Sequence, residues 1–148
     1  PNNLPLIGSG DWNDGMNRVG QQGKGESVWL GFFLHTVLGQ MIPLCEKRGD
    51  TARVTHYRAE RERLAEALNA AGWDGQWYRR AYYDDGDPLG SINSDECQID
   101  ALAQAWAVLS GVAPADRAER AVNAVEKQLV DEEHGLIRLL TPPFDRTP

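Results

Sequence analysis

Cysteine is nearly absent from this chain. Only Cys45 and Cys97 occur in 148 residues, and two cysteines do not build a disulfide framework at this size. Buried free thiols are the simplest account, since both read as lying in apolar helical stretches. No CxxC is present, and His35, His56 and His134 are scattered rather than paired at metal-ligand spacing, which argues against a zinc site. Basic residues are outnumbered, 15 against 22 acidic, giving a net charge of −7. No basic stripe offsets that balance locally, so nucleic acid and anionic membrane surfaces are poor partners. No segment reads as a signal peptide or a membrane span. The chain starts at Pro1 rather than Met and stops at Pro148. Both ends are expected to be cuts through a longer protein, so the missing targeting signal says nothing about the parent.

What is present suffices for one domain with a real core, and the pattern predicts a mainly all-α fold. A first helix is expected over 26–47, where Val28, Trp29, Leu30, Phe32, Phe33, Leu34, Val37, Leu38, Met41, Ile42 and Leu44 cover nearly every face. Such a helix is buried all round, with a kink or an early end at Pro43. A second is expected over 50–71, capped by Asp50. Its single apolar stripe is Val54, Tyr57, Leu64, Ala67 and Leu68, and its charged side is most simply a solvated face. Residues 73–83 read as an aromatic, extended segment, and Asp84-Asp85-Gly86-Asp87-Pro88 as a solvated acidic turn rather than a metal site. Asp95 with Gln98 gives a capping-box-like start to a third, all-round apolar helix over 95–110. Pro114 opens a one-sided fourth helix over 114–132, with Ala118, Ala121, Val122, Val125 and Leu129 as its stripe. A short strand is expected over 136–140. The order buried, surface, buried, surface suits an α/α toroid of inner and outer helices, with a plain helical bundle as the rival. In a toroid the two inner helices are parallel, so the loops before them, 10–25 and 84–94, meet at one mouth.

The chemistry concentrates near the start, in Leu4-Pro5-Leu6-Ile7-Gly8-Ser9-Gly10-Asp11-Trp12-Asn13-Asp14-Gly15-Met16. Carboxylates beside an indole and an amide suit a sugar site. The indole stacks on a pyranose face, Asn and Asp hold hydroxyls, and one protonated carboxyl can donate to a glycosidic oxygen. The same residues are also ordinary turn formers. A calcium loop fits poorly, because Asp11, Asn13 and Gly15 are out of step with its ligand spacing.

Together with Gly23-Lys24-Gly25-Glu26-Ser27-Val28-Trp29, the string at 10–16 resembles the inverting β-glucoside phosphorylases of glycoside hydrolase family 94. That family holds cellobiose and chitobiose phosphorylases and the phosphorylase-like C-terminal region of cyclic β-1,2-glucan synthases. Trp77-Tyr78-Arg79-Arg80-Ala81-Tyr82, then Gly90-Ser91 and Asp95-Glu96-Cys97-Gln98-Ile99-Asp100, resemble the glucan synthase branch most. The resemblance is collinear over almost the whole chain. It implies a fragment of an (α/α)6 barrel, with four of its twelve helices here, and Asp14 as general acid. It places Trp12 in the subsite of the transferred sugar. Asp11, Asn13, Glu26 and Glu96 are further substrate-binding candidates by placement, and each of Asp11, Glu26 and Glu96 can equally be a cap or an internal salt-bridge partner. No metal and no cofactor are implied. Inorganic phosphate is the co-substrate, a β-glucan or β-glucoside oligosaccharide the substrate, and the remainder of the parent polypeptide a required partner. The implied location is the cytoplasmic side, in a parent that an inner membrane can anchor. An inverting hydrolase on the same barrel needs a second carboxylate roughly 6.5–9.5 Å from the first. A non-catalytic glucan-binding or bracing region is the other alternative. The isolated chain is expected to be inactive and to self-associate through Trp29, Phe32, Phe33 and Trp106.

Overall fold

The computed structural model describes residues 2–10 and 14–147, and for Asp14 the backbone alone. Four α-helices carry the fold: α1 (Val28–Lys47), α2 (Thr51–Ala67), α3 (Ala101–Leu109) and α4 (Ala115–Leu129). Besides a 3-10 turn and a π turn, the described residues hold seven two-residue strands: β1 (Glu26–Ser27), β2 (Ala81–Tyr82), β3 (Pro88–Leu89), β4 (Ile99–Asp100), β5 (Val130–Asp131), β6 (Leu136–Ile137) and β7 (Leu140–Thr141). Two helical hairpins, α1 with α2 and α3 with α4, are joined where α1 packs on α3. Rings fill that seam: the Phe33 and Trp106 rings meet edge-on at 5.1 Å, and Trp29 lies 6.2 Å from Trp106. Beneath them, Val28, Phe32, Leu64, Leu68, Tyr78, Ala103, Ala107 and Ala121 form one buried cluster.

The helix boundaries correct the sequence reading in three places, each for a physical reason. α1 begins at Val28, because Glu26 and Ser27 pair as a strand with Tyr82 and Ala81. Its N-cap is Ser27, whose hydroxyl accepts from the Leu30 N–H at 3.3 Å. Of the kink or early end expected at Pro43, the early end does not occur, and the helix reaches its expected limit at Lys47. α3 begins at Ala101, not near Asp95. Ile99 and Asp100 are first needed as a strand against Thr141 and Leu140, and Asp100 then caps the helix by accepting from the Leu102 N–H at 2.8 Å. Cys97 therefore lies in a turn at φ 47, not in a helix. α4 stops at Leu129, because Val130–Asp131 turns back to pair with Leu136–Ile137. α2 starts at Thr51 behind the expected Asp50 cap and ends in one π turn, Leu68–Gly72.

The expected contrast between helices is present in part. Along α1, Val28, Trp29, Phe32, His35, Ile42 and Cys45 are buried, against Val54, Leu64 and Ala67 along α2. Yet α1 and α3 are not covered all round: Phe33, Met41, Leu44 and Val108 are exposed, and Leu109 is 70% exposed. Trp29 and Phe32, expected in an open apolar patch, are buried. Val122, placed in the α4 stripe, is exposed. By length and hydropathy α1 also qualifies as a membrane-crossing helix, contrary to the sequence reading, but here it packs against α2 and α3.

Candidate functional site

The loops preceding α1 and α3 lie side by side, and buried polar groups hold them together. Arg80, next to β2, and Asp100, the α3 cap, are both fully buried with 3.3 Å between Nε and Oδ2. The Arg80 Nη1 also reaches the Ser27 hydroxyl at 3.5 Å. One guanidinium thus links the caps of α1 and α3 and sets the two helix starts next to each other. Gly90 makes this possible. It sits at φ 78 and passes so close to Arg80 that a Cβ would stand 2.5 Å from the Arg80 nitrogen. Gln104 adds a second buried tie, donating to the Tyr78 carbonyl at 2.7 Å and accepting from the Tyr78 N–H at 2.8 Å.

Three carboxylates then fix the loops by accepting backbone N–H groups. Asp84 takes the amides of Gln22 (2.7 Å), Lys24 (2.8 Å) and Gly25 (2.9 Å), which folds the loop before α1 onto the end of β2. Those amides, the Gln22 N–H first, hold the Asp84 carboxyl below the usual carboxylate range. Glu26 takes the Asn2 amide at 2.8–2.9 Å, the Asn2 side-chain nitrogen at 2.8 Å and the Leu4 amide at 3.0 Å. Glu96 takes the amides of Asp145 (2.7 Å), Arg146 (2.6 Å) and Thr147 (3.1 Å) and the Thr147 hydroxyl. The Thr147 hydroxyl, followed by the Asp145 and Arg146 amides, lowers the Glu96 pKa to about 2. Nearby, burial and then the Asp100 charge push the Cys97 thiol up to about 12, so it is not a thiolate nucleophile.

Two of the cavities at this mouth share lining residues. One, of about 380 Å³, is lined by the loop from Gly15 to Val19. The other, of about 530 Å³, is lined by the loop from Asn93 to Glu96 together with Asp85 and Asp87. Tyr83, Phe144 and Thr147 line both. The loops before α1 and α3 therefore share one mouth, as the sequence pattern implies. Asp14, in a short 3-10 turn ending at Met16, directly precedes the first lining residue. Asp11, Trp12, Asn13 and the Asp14 side chain lie outside the described residues. Glu26 and Glu96, read from the sequence either as sugar contacts or as caps or internal salt-bridge partners, each have their carboxylates engaged by chain donors. Asp84, Tyr83 and Phe144 are contributors that the sequence reading passed over. Asp84 was hidden in an acidic turn expected to be merely solvated, and nothing in the sequence pattern distinguished Phe144. Among the described residues no cluster of His, Cys, Asp and Glu is arranged to hold a metal ion.

The model of the glycosyl hydrolase 94 superfamily catalytic domain matches residues 1–148. The chain is 52% identical over 146 residues to the cyclic beta-(1,2)-glucan synthase NdvB of Rhizobium meliloti (strain 1021), covering 99% of this chain and 5% of that protein. It is 39% identical over 141 residues to the 3-O-beta-D-glucopyranosyl-beta-D-glucuronide phosphorylase of Paenibacillus borealis, and 40% over 142 residues to the solabiose phosphorylase of the same organism. Each of these two matches covers 95% of this chain and 18% of the relative. Among solved structures, the GH78 family rhamnosidase of Bacillus sp. GL1 superposes with a TM-score of 0.59 at 25% identity, over 74% of this chain and 11% of that one. The chain thus spans between 5% and 18% of the length of these curated relatives.

Proposed function

The chain belongs to the glycosyl hydrolase 94 superfamily, and from that premise we propose that it is the part of a phosphorylase-type catalytic domain that supplies the general acid. Asp14 protonates the glycosidic oxygen of a β-glucan or β-glucoside. Inorganic phosphate attacks the anomeric carbon from the opposite face, so the bond to the leaving sugar breaks with inversion and a sugar 1-phosphate forms. One protein carboxyl is enough, because phosphate replaces the base-activated water of an inverting hydrolase. Trp12 carries the transferred sugar in this reading, with Asp11 and Asn13 on its hydroxyls. The observation that carries the reading is the cavity lined by Gly15 to Val19, immediately after Asp14 and at the shared mouth of α1 and α3.

The parent is a larger enzyme, similar to the glucan synthases and phosphorylases above, whose domain is an (α/α)6 barrel with α1 and α3 as inner helices. Further helices cover the apolar side chains that α1 and α3 leave open here, and other parts of the parent bind phosphate. The domain works on the cytoplasmic side, in a parent that an inner membrane can anchor. The test is the product. The complete polypeptide, given a β-1,2-glucan oligosaccharide, should release glucose 1-phosphate only when phosphate is added. Release of free glucose without phosphate would instead establish the hydrolase. The isolated chain should show neither reaction and should sediment above the monomer mass, because Phe33, Leu44 and Leu109 stay in water otherwise. A monodisperse monomer would overturn the packing argument.

A further inference from the structure

The segment after β7 has no regular structure of its own, yet it walls both cavities. Residues 142–147 form neither helix nor strand, but Phe144 and Thr147 line the cavity beside the acid loop and the cavity beside residues 93–96. Glu96 keeps the segment there. Its Oε1 accepts from Asp145 and Arg146, and its Oε2 accepts from the amide and hydroxyl of Thr147. A carboxylate offers about four lone-pair sites, so Glu96 is saturated by the chain and is not free to hold a sugar hydroxyl. Phe144 is in the opposite situation. It sits one residue before the clamped amides and remains 39% exposed at the junction of the cavities.

We propose that the two cavities form one trough leading away from the acid loop. In it Phe144 and Tyr83 are the apolar walls for a further neutral glucosyl unit, and Glu96 is the positioning residue that holds Phe144 in place. A pyranose has an apolar face of C–H groups and a rim of hydroxyls. Aromatic rings at the junction suit the face. The rim of the outer cavity carries Asn93, Asp87 and Asp95, whose oxygens accept hydroxyl protons and repel an anionic sugar. The combined size is within the range of small-molecule sites. This inference rests on the phosphorolytic reading above and extends it from the bond broken to the sugar beyond that bond.

The test uses the complete polypeptide, with neutral β-1,2-glucan oligosaccharides as substrate at saturating phosphate. Phe144→Ala should raise KM by roughly 5- to 20-fold while kcat stays within about twofold, the pattern of lost binding rather than lost chemistry. Glu96→Gln, which turns an acceptor edge into a donor, should raise KM similarly. The double variant should add little, because both changes remove the same wall. An unchanged KM in Phe144→Ala overturns the inference, as does a fall in kcat by orders of magnitude in Glu96→Gln. Calorimetric binding of the same oligosaccharide separates this inference from the reading beneath it. Binding that weakens in Phe144→Ala, in a wild-type protein that makes no sugar phosphate, keeps the trough and overturns the phosphorylase reading. Absence of both binding and turnover overturns the two together.

Discussion

The helical end and the loop end of this molecule are held by different forces. Where α1, α2 and α3 meet, Val28, Phe32, Leu64 and Leu68 are almost wholly removed from water, and rings close the gaps between helices. That burial is insensitive to acid. At the mouth, the loops before α1 and α3 and the segment after β7 are held by carboxylates accepting backbone amides: Asp84, Glu26 and Glu96. These loops also bury a smaller apolar cluster, Ile7, Met16, Val19, Leu89 and Cys97, and the charged acceptors add directional hydrogen bonds to it. The contrast separates what makes the fold stable from what shapes the cavities. A change at the mouth should alter chemistry with little loss of stability, and a change in the core should do the reverse.

The sharpest test of that division is Asp14→Asn in the complete polypeptide. Removing a general acid typically lowers turnover by about 10²–10⁴-fold, and on that division the thermal midpoint should hardly move. Near-normal turnover would remove Asp14 from the role. On the proposed role of Trp12, Trp12→Ala should weaken sugar binding by roughly 1–3 kcal/mol if its indole resembles other stacking platforms. On the core side, Leu64→Ala should cost about 2–5 kcal/mol of unfolding free energy, read as a lower urea midpoint and with no change in kcat. Arg80→Met would break the division, because Arg80 lies where the two regions meet. Taking away one member of a buried ion pair costs about 3–5 kcal/mol by leaving its partner charged and buried, and here it also unties the caps of α1 and α3. Both stability and turnover should fall in that variant. A loss confined to stability would show that the helix starts are positioned without it.

The sequence pattern discloses the helical end much better than the mouth. All-round apolarity marked 26–47 and 95–110, and one-sided stripes marked 50–71 and 114–132, because helix burial repeats with a local period. The shared mouth followed from reading the two apolar helices as parallel inner helices of a toroid. What stayed hidden depends on partners far away in sequence. Asp95 with Gln98 marked an earlier helix start than the one observed. The choice fell to Asp100 because Ile99 and Asp100 pair with Leu140 and Thr141, a contact no local pattern reports. Glu96 likewise looked like a group for substrate, since nothing nearby in the chain shows that the amides of 145–147 will fold back onto it. Asp84 seemed one more solvated turn acid for the same reason.

The smallest effect expected is also the one most particular to the mouth. The amides and hydroxyl on Glu96 lower its pKa from 4.5 to about 2 in the folded chain. A carboxyl whose folded pKa lies below its unfolded value contributes stability above the unfolded value, and loses that contribution as pH falls through the folded one. The clamp's contribution to stability is therefore complete above pH 4.5 and lost progressively towards about 2, where the folded carboxyl itself protonates. Asp84 shifts in the same direction, so the loop at 22–25 should loosen in acid as well. Phe32, Leu64 and Tyr78 have no carboxylate contact of this kind, so the core cluster should persist through the same range. In a pH series of amide NMR spectra, the resonances of 145–147 should titrate at the folded Glu96 value of about 2, and those of Gln22, Lys24 and Gly25 should also shift in acid, while those of α1 hold still. In Glu96→Gln the 145–147 set should already occupy its acid position at neutral pH, and the 22–25 set should still titrate. If α1 titrates along with the loops, the two ends of the molecule are one cooperative unit, and the distinction between them fails.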